Sequence, residues 1–72
     1  MKLKMRLEDA MVYTLATAGH GMTTAQLAEA INTNRLHIRA DGALVTDRQI
    51  YAAVCRNRGV FILSGGRVLL AM

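Results

Sequence analysis

The chain has 72 residues, no proline, a hydrophobic content of 53 % and a net charge of +4. That length allows one domain over 1–72 with a small core, burying about 60 % of the surface that the unfolded chain exposes, and the composition argues against disorder. No apolar run approaches the roughly 20 residues that span a bilayer. The opening MKLKMRLEDA carries charge with no apolar segment behind it and so does not read as a secretory signal, and the single cysteine, Cys55, has no internal disulfide partner. The expectation is a cytoplasmic protein in a reducing setting, with no membrane association.

Residues 2–5, KLKM, alternate basic and apolar, as a basic arm or an edge strand would. From Leu7 to Ala18 the spacing turns helical: Leu7, Met11 and Leu15 recur every four residues, with Ala10, Val12 and Ala18 close to the same stripe. Glu8 and Asp9 fall in the first turn, where the helix dipole favours them, and Gly19 suits a left-handed C-cap. The GHG that follows is a turn. Thr23 and Gln26 have the spacing of a capping box, which starts a second helix over Thr24–Asn32 with Leu27, Ala28 and Ile31 as its apolar face. Leu36-His37-Ile38-Arg39 alternates as a short strand, and Asp41-Gly42 is a turn pair.

Thr46 and Gln49 repeat the capping-box spacing and open a third helix, about 46–57, whose stripe is Ile50, Ala53 and Val54. After Gly59 the period becomes two. Val60–Ser64 and Arg67–Leu70 flank Gly65-Gly66, a pair that meets the positive-φ demand of both positions in a type I′ hairpin turn. This register places Phe61 opposite Leu70 and Leu63 opposite Val68 on one face, with Ile62 opposite Leu69 and Ser64 opposite Arg67 on the other. If the strand from Leu36 joins the hairpin, the sheet has three antiparallel strands. The expected fold is α+β and mainly helical: a winged helix-turn-helix of three helices, a small antiparallel sheet and a C-terminal hairpin wing.

MTTAQLAEAIN, LHIRADGALVTDRQIYAAVCRN and VFILSGGRVLLA together resemble the HARE-HTH winged-helix family, over about Leu7 to Ala71. The resemblance rests on the Met-Thr-Thr opening of the second helix, the Asp41-Gly42 turn, the Gln49-Ile50 entry to the third helix and Phe61 at the start of the wing. Such domains occur in chromatin regulators, in restriction endonucleases and at the N-terminus of the RNA polymerase delta subunit. The resemblance implies a DNA-binding or DNA-associated module, and its markers belong to the fold rather than to catalysis.

Charge is unevenly placed. Up to Asn32, Lys2, Lys4 and Arg6 cancel Glu8, Asp9 and Glu29; beyond it Arg35, Arg39, Arg48, Arg56, Arg58 and Arg67 face only Asp41 and Asp47. Arginine forks onto phosphates and guanine edges. The candidate DNA-reading face is Arg48, Gln49, Ala52 and Arg56, with Arg58 just past the helix, Arg67 at the wing turn, and Lys2 and Lys4 extending the phosphate footprint. Gln49 serves two masters, since the cap also claims it, and the bland alternative for the whole face is ordinary solvated surface. Tyr51 borders the apolar stripe and is expected to pack, with its hydroxyl at the surface.

His20, His37 and Cys55 lack the paired spacings of a zinc site, so no metal or other cofactor is expected. The five acids suggest no paired catalytic site and no Ser/His/Asp set recurs, so the chain is not expected to be an enzyme or to take a small-molecule substrate. Ile62 and Leu69 pair on the outer wing face, a candidate interaction surface. Either the N-terminal segment covers it, or a homodimer or a larger partner does. The first functional expectation is therefore a double-stranded-DNA-binding regulator or accessory subunit, on the nucleoid if bacterial. The alternative is a module that docks on RNA polymerase or a chromatin complex without reading DNA.

Overall fold

The computed structural model describes residues 5–39 and 41–71. Three helices come first, α1 (Leu7–Ala18), α2 (Thr24–Thr33) and α3 (Asp47–Arg56), followed by an antiparallel hairpin of β1 (Phe61–Ser64) and β2 (Arg67–Leu70). The fold is thus α+β and mainly helical, with a two-stranded sheet.

Local chemistry sets the boundaries. Gly19 ends α1 at φ 74°, its N–H donating to the Leu15 carbonyl. Both capping boxes form: Thr23 with Gln26 at α2, and Thr46 with Gln49 at α3. Gly65 and Gly66 turn the hairpin at φ 58° and 78°, as a type I′ turn requires. The register follows: Phe61↔Leu70, Ile62↔Leu69, Leu63↔Val68 and Ser64↔Arg67.

The expected strand at Leu36–Arg39 does not form; these residues are irregular. A strand needs an edge to pair with, and the outer edge of β2 is taken by Met22, which exchanges two backbone hydrogen bonds with Val68 at 3.1 and 2.7 Å. The 36–39 segment spends its polar groups elsewhere. His37 Nδ1, which must carry the proton, donates to the Met5 carbonyl at 2.7 Å. Arg39 pairs with Asp41 at 2.9 Å. The alternation of apolar and polar residues here does not map onto burial: Leu36 turns to the core, while Ile38, two residues on, is exposed.

α2 also runs one residue past Asn32. Its end is a Schellman turn: Leu36 N–H reaches the Ile31 carbonyl at 3.1 Å and Arg35 N–H the Asn32 carbonyl at 3.3 Å, with Arg35 left-handed at φ 51°. Asn32 is a latch rather than a stop. Its Nδ2 donates to the Val45 carbonyl and its Oδ1 accepts from Val45 N–H, both at 2.9 Å, which fixes the long connection just before α3.

One core joins the three helices to the hairpin. Met11, Leu27, Ile31, Ile50, Phe61 and Val68 are its largest fully buried side chains. Phe61 and Val68 bring the inner face of the hairpin into it, so the position of the hairpin beside α3 is fixed by buried packing as well as by chain connection.

Candidate nucleic-acid interface

α3 is anchored by its back. Ile50 and Ala53 are wholly inaccessible and Val54 nearly so. Each helical residue turns about 100° from the last, so Arg48, Ala52 and Cys55 lie directly opposite that stripe. Arg56 and Gln49 flank them on one side and Tyr51 on the other. All of these are exposed except Gln49, which is half-buried.

The expected four-residue face is therefore present but offset. Arg48, Ala52 and Arg56 are open to solvent. Gln49 is held by the cap: its Oε1 accepts from Thr46 N–H at 3.0 Å while its own N–H donates to Thr46 Oγ1 at 3.3 Å. With its carbonyl oxygen engaged, Gln49 cannot grip adenine through both amide atoms unless the cap opens. Tyr51 is 52 % exposed and lines a cleft rather than the core. Cys55 is legible as outward-facing from the helical angle, whereas Tyr51, at the border of the stripe, is only half covered because a cleft rather than packed core lies beside it.

Arg58 follows the α3 C-cap, Asn57, whose Nδ2 donates to the Ala53 carbonyl at 2.8 Å. The Asn57 carbonyl accepts from both Val60 and Phe61 N–H, at 2.9 and 3.0 Å, and this turn carries the chain from α3 into β1. Arg58 thereby lines a cleft of about 420 Å³ between α3 and β1, together with Tyr51, Val54, Cys55, Phe61, Ile62 and Leu63. Arg67 is exposed beside the glycine turn, opposite Ser64.

Among the described residues the one ion pair is Arg39–Asp41. Arg48, Arg56, Arg58 and Arg67 hence carry exposed guanidinium groups with no carboxylate partner there. Arg39 is committed to Asp41 and reaches toward the Leu44 carbonyl at 3.5 Å; Arg35 gives its backbone to the turn after α2, away from α3, and its side chain is exposed. Lys2 and Lys4 lie outside the described residues.

The outer-face pair divides. Ile62 is 47 % exposed, but Leu69 is half-buried. Leu69 leans on Gly21: a Cβ placed there would meet Leu69 Cδ2 at 2.7 Å and the Val68 carbonyl oxygen at 3.3 Å. The segment that bridges β2 covers Leu69, and Ile62 remains open. No three of His, Cys, Asp and Glu converge as metal ligands among the described residues, and no helix there is long and apolar enough to cross a membrane. The chain matches no family model, no curated protein and no solved structure.

Proposed function

We propose that the chain is a small DNA-binding winged-helix protein that acts as a regulator or accessory subunit. α3 enters the major groove, and the β1–β2 hairpin is the wing that lies on the sugar-phosphate backbone. One observation carries this reading: a helix with a buried apolar back presents Arg48 and Arg56 outward with no carboxylate partner among the described residues. A helix with its side chains is about 10–12 Å across, and the major groove is about 12 Å wide. Ala52, between the two arginines, allows close approach. Arg48 and Arg56 suit the O6 and N7 acceptors of guanine, each bidentate contact being worth roughly 1–3 kcal/mol of discrimination. Arg58 and Arg67 flank the helix and suit phosphates, which position the protein without reading sequence. The resemblance to HARE-HTH domains agrees with this assignment. It is a binding role, and no residue is given a catalytic one.

The test is alanine substitution followed by duplex binding, read by fluorescence anisotropy. Arg48→Ala with Arg56→Ala is expected to weaken binding by about tenfold or more, at roughly 1.4 kcal/mol per tenfold. Arg35→Ala is expected to leave binding nearly unchanged. Equal losses from the two would place the DNA on a different face.

A further inference from the structure

β1 has one edge paired and one edge open. Val68 gives both its backbone groups to Met22, so they point away from β1. Backbone groups alternate along a strand. The residue opposite Val68 is Leu63, so its N–H and C=O point away from β2 as well. Two further bonds confirm the alternation. Ala71 N–H donates to the Val60 carbonyl at 2.8 Å, on the paired side, and Phe61 N–H donates outward to Asn57 at 3.0 Å. The open edge therefore offers the Phe61 C=O and the Leu63 N–H and C=O, and none of these three has a partner among the described residues.

The cleft against α3 lies along this edge. Phe61, Ile62 and Leu63 are consecutive, and their side chains alternate between the faces of the sheet, yet all three line it. A cleft can touch three consecutive strand residues in this way when it runs along the edge. Tyr51, Ile62 and Leu63 are each about half exposed. Phe61–Ser64 carries no proline, no lysine and no inward charge to protect the edge, and its shortness, four residues, suits a short partner segment.

We propose that this edge and its cleft are a docking site for an extended acidic–apolar segment of a partner protein, which adds as a strand beside β1. One residue of that segment exchanges two bonds with Leu63, as Met22 does with Val68 on the far side of the hairpin. Its apolar side chains meet Tyr51, Ile62 and Leu63. Charge selects the occupant. Arg58 is the one charged residue lining the cleft and no carboxylate lines it; Asp47, exposed at the start of α3, stands one turn before Tyr51, outside the lining. A second copy brings no carboxylate on its own Phe61–Ser64 to meet Arg58, whereas an acidic strand complements it. The site needs no DNA.

The test uses the full chain with a fluorescein-labelled EVEIDV peptide and its basic counterpart KVKIKV, read by anisotropy and accompanied by light scattering. The acidic peptide is expected to bind at least about tenfold tighter, with Arg58→Glu reversing the preference. Leu63→Pro removes an outward N–H while sparing the β1–β2 bonds, a substitution that an edge tolerates, and is expected to abolish binding with the melt preserved. N-methylation of the peptide gives the same readout with an unaltered protein. Of two consecutive methylated positions, one should abolish binding and the other leave it intact. Equal binding of the two peptides, or equal effects at both methylated positions, overturns the proposal. So does a dimer that Leu63→Pro converts to monomer, since the edge would then belong to a second copy.

Discussion

Arg35 holds the left-handed position that closes α2, where its φ of 51° is the only positive value outside glycine among the described residues. An L-residue pays roughly 1–2 kcal/mol there, and glycine avoids that cost but loses more chain entropy on folding. Arg35→Gly is expected to stabilise the protein by about 0.5–1 kcal/mol, the difference between those two costs, raising the melting temperature by a few degrees. A circular-dichroism melt checks this, and a lowered midpoint would show that the guanidinium makes a compensating contact. Asn32 works in the opposite direction. Its amide satisfies both the N–H and the C=O of Val45, and truncation leaves both without a partner in a partly buried place. Asn32→Ala is expected to cost about 1–3 kcal/mol, read as a shift in urea midpoint. A change within a few tenths of a kcal/mol would mean that water replaces the latch.

At the level of the element, α3 separates stability from binding. Thr46 caps it and touches none of the proposed DNA-reading groups except through Gln49. Thr46→Ala is expected to destabilise by about 1 kcal/mol and to release Gln49, whereas Arg48→Ala should leave the melt nearly unchanged and weaken DNA binding. If Arg48→Ala moved the melt and left DNA binding untouched, the helix would be structural alone. The boundaries of α3, of α2 at its start and of the hairpin were legible in the sequence because their signals are local. A capping box spans four residues, and Gly65-Gly66 supplies its own turn geometry. What was not legible depends on distant chain. Leu36–Arg39 has the pattern of a strand, but Met22 occupies the edge it would need. Asn32 and Val45 are thirteen positions apart, and nothing local marks them as partners. Leu69 reads as exposed from the hairpin register, yet a glycine at 21 lets the neighbouring segment close over it. On α3 the arginines were legible from composition and helical angle, while the cleft beside them, with Arg58, Ile62 and Leu63, emerged only when β1 was placed next to the helix.

For the whole molecule, the positive charge is concentrated in arginines after residue 32, four of them exposed on or beside α3 and the hairpin with no carboxylate partner among the described residues. Electrostatic binding to duplex DNA releases counterions, so the affinity must fall with salt by about −0.9 in log–log slope for each phosphate neutralised. The decisive measurement for DNA binding is a duplex titration across a range of salt concentrations with the wild type and with Arg58→Ala/Arg67→Ala. The wild type should show a slope of about −1.8 or steeper, from two phosphates at about −0.9 each, and the double variant should be flatter by about that amount with its melt unchanged. Absence of duplex binding even at low salt, or a slope that the two substitutions leave untouched, would contradict the assignment of α3 and the hairpin to DNA.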